Sequence, residues 1–187
     1  MKAVASWITW RRAAGLIVLA GAVILARPAW ASPFGQGVFG ADVPFGSATS
    51  LSISLGGNVN ISLASSGANF SGTGSHTVTV TSTDVVGYML YAHTTGSSSM
   101  VNGSATIPAS SNSSAAALSV GTWGYNTAGS TTNFLGMNST GVLLKDASGP
   151  FKSGDPTTVT YGALTSGTQE AGNYSVAVTY TAVAKNQ

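Results

Sequence analysis

Cysteine is absent from all 187 residues, which excludes disulfides and thiolate metal sites. Charge is scarce: the chain has seven Lys and Arg, five Asp and Glu, and two His. Four of the seven bases, Lys2, Arg11, Arg12 and Arg27, fall in the first 31 residues. Beyond Ala31 only Lys145, Lys152 and Lys185 stand against Asp42, Asp84, Asp146, Asp155 and Glu170, a net of −2 with no Arg. The overall pI near 9.0 therefore reflects the N-terminus. Nucleic acid and anionic membrane surfaces need clustered Lys and Arg, so both are poor partners for the rest of the chain.

Catalytic signatures are missing too. There is no G-x-S-x-G elbow, and no calcium- or phosphate-binding loop. His76 and His93 lie within reach of Asp84 in sequence, but their spacing matches no zinc signature. They read as polar surface residues, and the five acids do not suggest a glycosidase pair. The chain is expected to be non-enzymatic and to need no cofactor.

The N-terminus is distinctive. Three basic residues precede an uninterrupted apolar run of 14 residues, Ala13 to Ala26. Ala29-Trp30-Ala31 follows, an A-x-A site with Ser32 next. This is the pattern of a secretory signal peptide cleaved after Ala31. The run is shorter than the roughly 20 residues that span a bilayer. Cleavage leaves 156 residues, enough for one domain with its own core.

Residues 32–49 read as an arm. They repeat an aromatic–glycine unit at Phe34-Gly35, Phe39-Gly40 and Phe45-Gly46. Gly and Pro at this density do not suit a central strand. An extended segment of this length reaches roughly 60 Å. The plain reading is a loose leader; the sharper one docks Phe34, Phe39 and Phe45 on a neighbouring subunit, because exposed phenylalanine is costly.

From Ser50 onward the pattern has period two. Leu51, Ile53 and Leu55 alternate with serine, and Val59, Ile61 and Leu63 with polar residues. Gly56-Gly57 between them predicts a hairpin. Thr77 to Thr81 alternates cleanly, and Val85 to Ala92 is a fuller apolar strand. Residues 96–114 form a long polar connection with a short strand near Ala105–Ile107. Further strands are expected at 116–125, 133–136, 141–145, 157–164 and 172–184, with Asp155-Pro156 as a turn. No helical period is sustained. The predicted fold is all-β, an antiparallel β-sandwich of Ig-like or jelly-roll-like type over residues 50–187, preceded by a signal-peptide helix.

Trp123 is the one Trp after Ala31. With Tyr125 it is a candidate sugar-stacking platform, although a lone Trp more often anchors a core. The row Thr77, Thr79, Thr81 and Thr83 reads as the solvent face of a charge-poor sheet.

Thr122-Trp123-Gly124-Tyr125, Thr157 to Gly162, Ala171-Gly172-Asn173-Tyr174 and Val178 to Ala182 resemble a group of small exported bacterial surface proteins. The resemblance extends weakly to Gly87 to Leu90 and covers about two-thirds of the chain after Ala31. It implies a β-sandwich domain of the cell envelope, comparable to wall-associated and fibre-forming modules. The sequence departs from wall-binding WxL proteins, since Gly124-Tyr125 follows Trp123. No binding residues carry over. The expected role is that of a secreted or cell-surface structural or adhesive protein, in its most specific form a fibre subunit assembling through the arm. The alternative is a non-catalytic carbohydrate- or wall-binding module. After signal cleavage, neither a membrane nor a nucleic-acid partner is expected.

Overall fold

A computed structural model describes residues 49–185. The signal-peptide helix, the cleavage residues Ala29, Ala31 and Ser32, and Phe34, Phe39 and Phe45 lie outside the described residues.

Twelve strands and no helix make up the described chain. They are β1 (Ser50–Leu55), β2 (Ala64–Ser66), β3 (Asn69–Thr83), β4 (Gly87–Thr94), β5 (Met100–Asn102), β6 (Ala105–Ile107), β7 (Ala116–Ala117), β8 (Thr122–Asn126), β9 (Asn133–Phe134), β10 (Val142–Ser148), β11 (Asp155–Ser166) and β12 (Val178–Lys185). The larger sheet has the order β1-β3-β11-β8, with β2 also paired to β3. The smaller has the order β10-β4-β12. Every ladder is antiparallel, and two short ribbons, β5-β6 and β7-β9, lie outside the main sheets.

The two sheets pack as a β-sandwich, and period two explains why. In β3, Val78, Val80 and Ser82 are buried while Thr77, Thr79, Thr81 and Thr83 are only half-buried. In β4, Tyr88, Leu90, Ala92 and Thr94 are buried, and Met89, Tyr91 and His93 alternate with them. One cluster joins Val78, Val80, Tyr88, Leu90 and Ala92 to Trp123, Tyr125, Val159, Tyr161 and Ala163 of the larger sheet, with Ala182 of β12 packed against it. Alternate side chains thus fill a shared interior.

A second packing layer covers the outer face of the larger sheet. Gly124 and Gly162 face each other across β8 and β11. A Cβ on Gly162 would stand 2.3 Å from the Phe134 ring, and one on Gly124 would stand 2.9 Å from the Phe134 Cβ. Two opposed glycines therefore make the flat seat on which Phe134 is buried.

Four sequence expectations need correction. Gly56-Gly57 does not turn a hairpin. Gly56 N–H donates to the Thr77 carbonyl, continuing the β1-β3 ladder, and Val59 to Leu63 have no ladder partner. They cross the face of β3 instead, because Gly72 and Gly74 leave room: added Cβ atoms there would lie 2.3 Å from the Ser62 carbonyl oxygen and 2.6 Å from that of Asn60. The segment 116–125 is two strands, β7 and β8, with Gly121 at a φ of 83° between them. Asp155-Pro156 opens β11 rather than forming a turn. Pro156 is tolerated there because β11 pairs with β8 only from Thr160 to Leu164. The last strand begins at Val178, since Ser175 exchanges hydrogen bonds with Val101 instead of β4.

Candidate functional site

The sheets differ in length, and that difference creates the site. β3 is 15 residues long and β4 is eight. Tyr180, the third residue of β12, reaches His76 of β3. The part of β3 before His76 therefore lies beyond the smaller sheet. Over that overhang a cleft of about 970 Å³ opens. Its floor is the inner face of the larger sheet: His76, Tyr161, Ala163 and Trp123. One wall is the strap from Gly57 to Leu63, and the other is Gly172 to Val176 with Val178 and Tyr180. Met100 and Ile107 of the β5-β6 ribbon complete it.

No Asp, Glu, Lys or Arg is among the described lining residues. The walls alternate aliphatic side chains (Val59, Ile61, Leu63, Val176, Val178) with polar ones, and Asn58, Asn60 and Asn173 place amides on the exposed rim. Leu55 is 54% exposed and Leu63 39% exposed at one edge. Along the strap, burial has period two: Val59 and Ile61 are half-buried, and Asn58, Asn60 and Ser62 are exposed.

A directed hydrogen-bond chain crosses the floor. His76 Nδ1 lies 2.9 Å from the Gly57 carbonyl, which can only accept, so Nδ1 carries a proton. In the neutral ring Nε2 then accepts from the Tyr180 hydroxyl at 2.6 Å. Tyr180 in turn accepts from the Tyr161 hydroxyl. Burial pushes the Tyr161 hydroxyl well above the ordinary phenol range, helped by Tyr180 beside it. Burial also raises Tyr180. The His76 ring tilts against Tyr180 at 5.4 Å and Tyr161 at 6.1 Å, and Trp123 tilts against Tyr161 at 6.2 Å. Both histidine nitrogens are engaged internally, and neither phenol is poised to ionise near neutrality. This arrangement braces the floor; it does not activate a nucleophile.

Trp123 is fully buried and Tyr125 is 5% exposed. Trp123 Nε1–H donates to the Ser98 carbonyl at 2.9 Å. Trp123 thus sits in the floor of the cleft, and Tyr125 is in the core beside it; neither stands as an exposed platform. Sequence reasoning missed His76, Tyr161 and Tyr180 as a group, because 104 residues separate His76 from Tyr180. It also missed the strap's seat, although glycine at alternate positions of a strand, Gly72 and Gly74, signals a close backbone approach. His93 lies on β4, and Asp84 is the turn residue before it, at a φ of 54°. Among the described residues no three His, Cys, Asp or Glu side chains gather closely enough to hold a metal.

The two ends of the sandwich are unlike. Ser50 pairs with Thr83 and Lys185 with Gly87, so the described chain enters and leaves at the end away from the cleft. Leu55, at the other end of β1, borders the cleft. At the entry end Asp155 accepts from Tyr88 at 2.8 Å and pairs with Lys145 at 2.6 Å. Comparison with protein-family models, with curated proteins and with solved structures gave no match.

Proposed function

We propose that this chain is an exported, non-catalytic protein of the cell surface with a structural or adhesive role, and that it assembles with copies of itself as a fibre subunit through its N-terminal arm. A cleft lined without Asp, Glu, Lys or Arg, in which aliphatic and neutral polar groups alternate, carries this reading. Such a lining suits a polypeptide segment that brings apolar side chains for the aliphatic positions and a backbone to hydrogen-bond with the polar ones. The signal-peptide pattern supports export, and the phenylalanine-glycine repeat supplies a segment with apolar groups to bury.

The test is size. A chain running from Ser32 to Gln187 should form concentration-dependent oligomers by light scattering and short fibres by negative-stain microscopy. Removal of residues 32–47 should leave monomers. A chain that stays monomeric with the arm present would end this reading.

A second reading, a non-catalytic carbohydrate- or wall-binding module, draws on the amides of Asn58, Asn60 and Asn173 above an aromatic floor. It predicts saturable binding of wall oligosaccharides to the monomeric domain, weakened by Asn60→Ala and Asn173→Ala.

A further inference from the structure

We infer that the cleft is the acceptor for the phenylalanine-glycine arm, residues 32–49, of a second copy of this chain. The inference rests on the fibre-subunit reading and names its contact surface.

Four observations lead to it. The inner face of the larger sheet overshoots the smaller sheet, and over it a cleft stands open between the strap and Gly172 to Val176. The described lining has no Asp, Glu, Lys or Arg, and residues 32–49 hold one acidic or basic side chain, Asp42, beside three phenylalanines. The strap has strand-like alternation of burial, yet Val59 to Leu63 pair with no described strand, so their backbone can receive an added strand. The fourth observation is the position of the ends. The arm joins β1 at Ser50, and the cleft borders Leu55 at the opposite end of the same strand. A copy stacked behind another presents its arm directly to the cleft in front.

The contact joins two different surfaces, so it is heterologous, and repeating it generates a linear array instead of a closed dimer. Backbone groups of the strap and the amides of Asn58, Asn60 and Asn173 would meet the incoming backbone. Leu55, Leu63, Met100 and Val176 would meet the phenyl rings.

The experiment uses chains from Ser32 to Gln187. A donor-defective variant carries Phe34→Ser, Phe39→Ser and Phe45→Ser. An acceptor-defective variant carries Leu55→Asp and Leu63→Asp, both at exposed positions, with circular dichroism checking the fold. Each variant alone should be monomeric at concentrations where the unmodified chain is oligomeric, with self-affinity weakened at least tenfold. Mixed, they should form a one-to-one dimer and nothing larger, because one intact arm then meets one intact cleft. An acceptor-defective chain that still assembles like the unmodified one would overturn the cleft assignment and leave the fibre reading standing. An unmodified chain that is monomeric throughout would overturn both.

A second readout does not depend on the acceptor substitutions. Trp123 lies in the floor of the cleft and is the one Trp after Ala31. A synthetic peptide of residues 32–49, added to the donor-defective chain, should shift Trp123 emission saturably, whereas the same peptide with Ser for Phe should not. No shift, or a shift given by wall oligosaccharide and not by peptide, would overturn the inference.

Discussion

The Tyr180 hydroxyl lies 2.6 Å from His76 Nε2, and this bond ties β12 of the smaller sheet to β3 of the larger one. It is the polar counterpart of the apolar interior, placed where the interior runs out. Tyr180 also accepts from Tyr161, so its oxygen is the middle of a three-part chain.

Tyr180→Phe removes that middle. It leaves the Tyr161 hydroxyl and His76 Nε2 without their partner. A buried hydroxyl left unsatisfied costs about 1–3 kcal/mol. Urea denaturation should show a loss of that size, with an unchanged slope. Unaltered stability would mean the chain contributes nothing.

Gly162→Ala puts a Cβ into the Phe134 ring, 2.3 Å from its Cζ. Overpacking of this kind costs about 1–3 kcal/mol. Combining it with Phe134→Ala should cost less than the sum of the two single changes, because the smaller side chain vacates the contested space. Additive losses in thermal unfolding would show that the two sites do not meet.

Trp123→Ala should destabilise the domain by about 3–5 kcal/mol, the range for a fully buried large aromatic. The side chain would leave both a void in the core and an unpaired Ser98 carbonyl. Retention of full stability with loss of glycan binding would instead return Trp123 to the role of a stacking surface.

Alkaline pH should weaken the fold. Burial raises the hydroxyls of Tyr88, Tyr125, Tyr161 and Tyr180 above their ordinary value, with Asp155 adding to the effect at Tyr88. In the unfolded chain these groups lose their protons near pH 10. Above that pH the unfolded state binds fewer protons than the native state, so stability falls as pH rises. Below about pH 9 both states keep these protons and the four tyrosines contribute no slope. Urea midpoints measured from about pH 8 to 11 should be flat and then fall. A midpoint that does not fall by about pH 11 would refute the account.

Tyr88→Phe should cost more than Lys185→Met. Tyr88 is fully buried and donates to Asp155, which also pairs with Lys145, and hydrogen bonds to such ion-paired groups contribute about 1.5–3 kcal/mol. Lys185 pairs with Asp146, whose side chain is 54% exposed, and such pairs contribute about 0–1 kcal/mol. Thermal melts of the two variants compare them directly, and the reverse order would refute the ranking.

Much of the sandwich was legible in the sequence because burial acts locally on alternate residues. Thr77 to Thr81 and Val178 to Ala182 declare their inward and outward faces without reference to a partner. Val59, Ile61 and Leu63 carry the same signal and yet form no ladder, since alternation reports a half-buried extended segment and says nothing of what lies beside it. Their partner is the glycine seat on β3. The cleft was not legible for a related reason. It follows from two sheets ending at different places, and the lengths of β3 and β4 are fixed by pairings across the whole chain. Trp123 was legible as a core anchor, but its place beneath the cleft depends on Tyr161, 38 positions later.

The outward threonines of β3 have a consequence for the setting in which such a domain works. Its solvated faces hold water through neutral hydroxyls and amides, and the described residues contain two ion pairs. Dissolved salt screens charges and leaves neutral dipoles almost untouched. The fold should therefore keep nearly the same strength in dilute and in briny surroundings.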